Sequence, residues 1–349
     1  MERINQIKPL DSKACQAAKE NWDSIAKPLG SFGILEEMVQ KIAGIQGTAN
    51  VKINRRTAVI FCADHGIVEE GVTQCGSEVT AICAKEIAEG RSNINALADQ
   101  FGADVVAVDV GILHPVSSSA LLRRHIADGT RNFAQSPAMT EDEVNQAIRT
   151  GIDIAASCKA DGADILIAGE MGIGNTTSAS ALASVLLNLP PETVTGKGSG
   201  LSTEGLQRKI AAIRRGIALH HPDRAHPMHL LQTLGGLEIA AMTGLFFGGA
   251  ICRIPVIIDG VISAAAAAIA FQLNPLCADY MLASHCSGEP AASGMLQMMH
   301  LKAMIDAGLR LGEGTGAMLL LPLLDGALAL YHHAHRFDDA KIERYTEQL

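Results

Sequence analysis

"DILIAGEMGIGNTTSASAL", residues 164–182, begins as an aliphatic run without polar alternation, passes through a glycine-rich turn and continues in Ala, Ser and Leu. An apolar run of this kind reads as a strand buried on both faces, hence one inside a parallel sheet. Asn175, Thr176 or Thr177 then offers a side chain that could cap the helix that follows. The pattern recurs in "TAVIFCADHG" (57–66), "DVVAVDVGI" (104–112), "IPVIIDGVIS" (254–263) and, less distinctly, "DYMLASHCSGEP" (279–290). Between these runs lie helical periodicities over 77–102, 140–162, 203–221 and 236–251. Thr140 with Asp142 and Glu143, and Thr203 with Glu204, mark two of the helix starts. Strand–helix alternation of this kind implies an α/β fold with a mostly parallel, doubly wound sheet.

The two ends of the chain differ from the middle. Residues 1–50 and 292–349 show helical periodicity without strands, as in "GILEEMVQKIAGIQ" (33–46) and "SGMLQMMHLKAMIDAGL" (293–309). The expected organisation is a smaller helical domain built from both termini, 1–50 plus 292–349, on a large α/β domain, 51–291.

Composition narrows the function classes. The chain has 349 residues, 48% of them hydrophobic, enough for a large core, and a net charge of −9. No basic patch offers itself to a phosphate backbone, so no nucleic-acid partner is expected. The opening "MERINQIKPLDSKACQ" lacks the apolar stretch of a signal peptide. No apolar run reaches the roughly 18 residues of a membrane span, and the stretch near Leu319–Leu330 is interrupted by Pro322, Asp325 and Gly326. Eight cysteines are scattered without a CxxC pair, which suits reduced thiols in the cytoplasm and gives a redox role no motif.

In an open parallel sheet, ligands bind beyond the carboxyl ends of the strands. Those ends carry Asp64-His65-Gly66, Asp109 with Gly111, Glu170 with Gly172 and Gly174, Asp259-Gly260, and His285 with Ser287-Gly288. The turn in "GEMGIGNTTSASAL" combines glycines with a helix start, a combination that lets a phosphate approach backbone N–H groups. Its order is GxxGxG, so it is neither a dinucleotide fingerprint nor a P-loop. A plain strand-to-helix turn with a threonine cap is the alternative.

"VTGKGSG" (194–200) reads as a mobile functional loop, and Lys209 on the helix after it could set a point charge against a phosphate or simply face solvent. Ser287 and Gly288 could add a hydroxyl and an amide. The histidine clusters at 220, 221, 226 and 229 and at 332, 333 and 335 lack zinc spacing, so no catalytic metal is expected.

In "LGEGTGAMLLLP" (311–322), Glu313 stands between Gly312 and Gly314, next to an apolar helix. It reads either as a helix N-terminal acid or as a general base in a partly apolar pocket, where desolvation would raise its pKa and small neighbours leave room for a flat ligand.

Taken in order, "KPLGSFGILEEM" (27–38), "ADHGIVEEGVT" (63–73), "GEMGIGNTTSASAL", "GKGSGL", "IDGVISAAAA" (258–267) and "GEGTGAMLLLPLLDGAL" (312–328) resemble the nicotinate-nucleotide–dimethylbenzimidazole phosphoribosyltransferase family over nearly the whole chain. The resemblance implies transfer of phosphoribose from nicotinate mononucleotide to an aromatic base, giving the α-ribotide for the lower ligand of cobamides such as vitamin B12. It further implies a Rossmann-like large domain, a helical domain from both termini and a dimer, of identical chains or with a paralogue. No cofactor is expected.

By the same resemblance Glu313 is the catalytic glutamate. Glu170, Met171, Gly172, Gly174, Asn175, Gly198, Lys209, Asp259, Gly260, Ser287 and Gly288 hold the mononucleotide. Pro28, Leu29, Cys75, Ser77, Cys83 and Leu311 surround the base.

One stretch departs from the pattern. Where well-known members carry "SPQxVTxxQ", this chain has "CGSEVTAIC" (75–83), with Cys75, Ser77 and Cys83 replacing Ser and two Gln. An altered base is therefore expected, a related azole, a purine or a phenol, whose proton Glu313 would equally remove. Nucleosidase-like hydrolysis and a non-catalytic nucleotide-binding subunit are the rival readings.

Overall fold

The computed structural model describes residues 2–345. Six strands form one sheet: β1 (Arg56–Ala63), β2 (Ala103–Gly111), β3 (Leu122–Arg123), β4 (Ile165–Met171), β5 (Val256–Ile258) and β6 (Met281–Ala283). Their order is β3-β2-β1-β4-β5-β6, and every neighbouring pair is parallel. The order reverses between β1 and β4, the crevice where such sheets take their ligands. All five apolar runs are strands. The sixth, β3, is two residues paired with Val108 and Asp109 at the sheet's edge, too short to leave an apolar run of its own.

The helices are α1 (Ser12–Ser24), α2 (Ile34–Gln46), α3 (Glu78–Ala88), α4 (Asn93–Phe101), α5 (Glu141–Ala160), α6 (Asn175–Leu187), α7 (Pro191–Val194), α8 (Thr203–His220), α9 (Pro227–Leu234), α10 (Leu237–Cys252), α11 (Val261–Leu273), α12 (Ala292–Met298), α13 (Thr315–Met318), α14 (Leu321–His333) and α15 (Phe337–Ala340). Successive side chains of a strand point to opposite faces. Val59, Phe61, Ala63, Leu166 and Ala168 accordingly enter one apolar cluster with α5, α6, α10 and α11. Ala58, Ile60, Cys62, Ile165 and Ile167 enter a second cluster, which also holds residues of α2, α3, α4 and α14.

The helices of the two chain ends are tied to each other by polar contacts as well as packing. Asn21 Nδ2 donates to Tyr331 O (3.0 Å), and the Tyr331 hydroxyl donates to Ala49 O (2.7 Å). Trp22, fully buried, stacks at 5.1 Å from Tyr331. We propose that 1–50 with 292–349 is a helical subdomain set on 51–291; α12 stands apart from its other helices, packed on α6 and α11.

Two helical readings need correction. The periodicity over 77–102 is two helices, α3 and α4, parted at Gly90–Ser92, where Ser92 and Asn95 form a capping box that restarts the chain. The stretch 293–309 is helical only to Met298. Beyond it, the amides of Met304 and Ile305 donate to Ser284 O, and those of Cys286 and Gly288 donate to Ile305 O and Leu309 O. Backbone groups engaged in this non-local ladder are not free to close helical turns.

The run Thr315–His333 has the length and composition of a membrane-crossing helix, yet half of it is buried inside the protein, with Leu320, Leu321, Leu324 and Ala327 in the second cluster. Packing accounts for its apolar character.

On the other face, α5 and α10 cross with their backbones in contact. A Cβ on Gly151 would overlap Ala241 O, and one on Gly244 would overlap Ile148 O. Gly151→Ala should therefore lower stability by about 1–3 kcal/mol, as overpacking does, read as a reduced denaturant midpoint with an unchanged slope.

Candidate active site

A cleft of about 260 Å³ opens at the carboxyl ends of β4, β5 and β6. Of the residues singled out above, Glu170, Met171, Gly172, Gly174, Asn175, Gly198, Lys209, Asp259, Gly260, Ser287, Cys83, Leu311 and Glu313 line it. Segments far apart in sequence converge because most lie just beyond a strand tip or on a loop that reaches one, with Cys83 and Lys209 added from α3 and α8.

The dense glycines around Glu313 are explained by the path of the chain across the tip of β4. Gly312, Glu313 and Gly314 have φ of 88°, 59° and 83°, three left-handed residues in succession. For a residue with a side chain this conformation costs roughly 1–2 kcal/mol, so Glu313 is held there by its surroundings. Asp259, at the end of β5, does much of the holding. Its Oδ2 accepts from the Gly314 amide (3.3 Å) and its Oδ1 from the Ala317 amide (2.8 Å), capping α13. A Cβ at Gly312 would lie 2.7 Å from Glu170 Oε1, and one at Gly316 would overlap the His285 ring.

The Glu313 carboxylate itself is half-buried at the start of α4. Asn93 Nδ2 donates to Oε1 (3.2 Å) and the Ile94 amide to Oε2 (3.4 Å).

The glycine turn after β4 is built differently from the reading of its caps. Gly174 is the N-cap of α6, and no side chain caps the helix. Asn175 instead donates through Nδ2 to Glu170, and the Thr176 hydroxyl accepts from Lys209 Nζ (2.8 Å). Thr177 Oγ1 is buried with no hydrogen-bond partner. Both ionisable groups here are displaced by burial. Burial pushes the Glu170 carboxyl up to about 8, against the Asn175 hydrogen bond. Burial brings the Lys209 ammonium down to about 8, with Glu289 opposing.

Five of the singled-out residues are absent from the lining. Pro28 is exposed, and Leu29, Cys75 and Ser77 are partly exposed. Gly288 lies outside the lining, and its amide donates to Leu309 O (2.9 Å). The Ser287 hydroxyl likewise donates to Leu309 O (3.2 Å), although the residue lines the cleft.

The site also includes Thr73, His285, Glu289 and Arg310 in the lining, and Asn93 behind Glu313. Asn93 was legible only through the break at Gly90–Ser92. His285 was visible as a strand-tip residue; here it is buried, with Nδ1 at 2.9 Å from Ser284 Oγ, and burial lowers its pKa.

Elsewhere, His220 and His332 bond the backbone oxygens of Phe133 (2.7 Å) and Val51 (2.9 Å). Among the described residues no group of three or more His, Cys, Asp or Glu could hold a metal ion, and none of the eight cysteines is in a disulfide.

Fold and cleft together define a doubly wound α/β protein with a polar, partly buried site beside its topological switch point. The phosphoribosyltransferase family model DBI_PRT matches residues 7–342, and the chain belongs to that family. It is 42% identical over 344 residues to the nicotinate-nucleotide–dimethylbenzimidazole phosphoribosyltransferase of Ruminiclostridium cellulolyticum, covering 99% of this chain and 98% of that one. It is 38% identical over 348 residues to the enzyme of that name from Acetivibrio thermocellus, covering 100% and 99%. The crystal structure of CobT from Thermus thermophilus matches with a TM-score of 0.90 at 37% identity, over 95% of this chain and 100% of that one.

The displaced lysine makes a pH-dependent prediction. Lys209 carries its charge below about 8 and loses it above. Affinity for a phosphate ester should therefore fall as pH rises through that value, and binding above it should take up a proton. Titration calorimetry in buffers of different ionisation enthalpy checks both, and Lys209→Met should abolish the proton uptake.

Proposed function

We propose that this chain transfers the phosphoribosyl group of nicotinate mononucleotide to a nitrogen of a lower-ligand base, dimethylbenzimidazole or a related azole. The products are an α-ribotide for cobamide assembly and nicotinate. The observation that carries the reading is the presence in one cleft of the Glu313 carboxylate and, with it, the Gly172–Thr176 turn and Lys209.

The chemistry fits those groups. In the mononucleotide the leaving nitrogen is a pyridinium cation, which departs as neutral nicotinate nitrogen without help from an acid. The incoming azole nitrogen is nucleophilic once the ring loses its N–H proton, and Glu313 takes that proton. Attack on C1′ from the face opposite nicotinate converts the β-linked sugar to the α-ribotide. The turn and Lys209 hold the phosphate, so remote binding energy orients the reacting carbon.

Cys83 and Leu311, which line the cleft, are assigned to the base. No contact is assigned to Pro28, Leu29, Cys75 or Ser77. The phenol-specific alternative rests on the departure at 75–83 alone, and the names of the relatives do not favour it. We further propose a dimer and, from eight cysteines outside any disulfide, a cytoplasmic location.

The test offers nicotinate mononucleotide with dimethylbenzimidazole, adenine or p-cresol, with products identified by mass spectrometry. The azole ribotide is expected, and Glu313→Gln should lower kcat about 10²–10⁴-fold, the range for loss of a general base. Release of free ribose phosphate would favour hydrolysis, and turnover of p-cresol alone would favour a phenol-specific enzyme.

A further inference from the structure

Under the glycine turn lies a buried ionisable pair that the transfer chemistry does not use. His65, just beyond β1, and Glu238, in the first turn of α10, are both fully buried, with Nε2 and Oε1 2.7 Å apart. On its other side the ring reaches α6, with Nδ1 3.1 Å from Ser178 Oγ. When Nε2–H donates to Glu238, Nδ1 is left to accept from that hydroxyl. Glu238 Oε2 is buried without a hydrogen-bond partner. An unmet carboxylate oxygen in the interior costs more than packing alone would justify, so the pair is a feature to be explained.

Its position gives the explanation. A Cβ on Gly172 would lie 3.5 Å from His65 Cδ2, and one on Gly174 would lie 3.1 Å from His65 Cβ. His65 is thus part of the floor of the turn, beside Ala63 O, Ile67 and Val68. It joins β1, α6 and α10 at the point where the turn leaves β4. The next residues of the turn are Asn175, which donates to Glu170, and Thr176, which accepts from Lys209. A second tie holds the turn from the side, where the Ile173 amide donates to Thr80 Oγ1 (3.0 Å). The Glu313 carboxylate is held by Asn93 and its loop by Asp259, although the Glu313 backbone also bonds Glu170, which Asn175 reaches from the turn.

We propose that His65, locked between Glu238 and Ser178, is a positioning residue for the mononucleotide half of the site and not for the base half. This rests on the assignment of the Gly172–Thr176 turn to the mononucleotide. Displacement of the floor tilts the turn and moves its N–H groups and Thr176 relative to the phosphate, while Glu313 and the base wall stay in place. A shift of about 1 Å in a binding element is enough for losses of up to about 100-fold.

Three variants test this in the full-length protein. Glu238→Gln keeps shape and removes the charge, Ser178→Ala removes the tie to α6 without leaving a buried charge, and His65→Gln removes the ring. Each is followed by KM for both substrates, by the dissociation constant of nicotinate mononucleotide alone and by thermal unfolding. The expected result is a KM and dissociation constant for the mononucleotide raised roughly 10-fold or more, with KM for the base within about twofold, in variants that unfold cooperatively. Ser178→Ala should show the same selective pattern at smaller size. Equal changes for both substrates, or a lower unfolding temperature with unchanged mononucleotide binding, would overturn the proposal. Failure of the unmodified protein to bind nicotinate mononucleotide would instead overturn the assignment of the turn, and this inference with it.

Discussion

Two backbone amides, those of Gly314 and Ala317, converge on the carboxylate of Asp259, and the reactive part of this protein hangs from that contact. The chain enters it through three left-handed residues, one of them Glu313. Such a path is unfavourable in isolation. It persists because β5 delivers a buried acid to the amides of α13 and because glycines on either side let the loop pass Glu170 and the His285 ring. The glycines are therefore tolerances for close approach around a single side chain. That side chain ends facing the amide of Ile94, so the geometry of the base also depends on where α4 begins.

The other half of the cleft obeys a different constraint. Its turn is laid over a fully buried histidine and feeds the first residues of α6 into side-chain contacts with Glu170 and Lys209. Burial raises one of these groups and lowers the other. A carboxyl and an ammonium so placed share a preference for neutrality that an incoming phosphate dianion would shift on the lysine side. The family membership and this arrangement point to the same division of labour. Under the proposed function, one half is assigned to phosphoribose and the other to deprotonating and orienting a flat base.

Much of this was open to sequence reading, for a physical reason. Strands buried on both faces carry unpunctuated aliphatic runs, and the residues that end those runs are, in this topology, the residues at the ligand edge. Glu170 and Asp259 were therefore visible in the sequence, and Glu313 through the glycines that flank it. What stayed hidden was non-local. The periodicity across 77–102 conceals the break at Gly90–Ser92, since the apolar spacing continues through it, and with the break went Asn93. The stretch after Met298 has helical spacing, but its amides pair with Ser284–Gly288, a partner set in a distant segment. That ladder also takes in the Gly288 amide. Asn175 and Thr176 stand where caps usually stand, and only the proximity of Glu170 and Lys209 turns them to another use.

The most direct test is a crystal structure with nicotinate mononucleotide and a non-reacting azole bound together. The account requires the phosphate on the Gly172–Thr176 turn beside Lys209, and a Glu313 oxygen within hydrogen-bond reach, about 2.6–3.2 Å, of the azole N–H. A phosphate seated elsewhere, or an azole lying out of reach of Glu313 with another residue taking its proton, would contradict it.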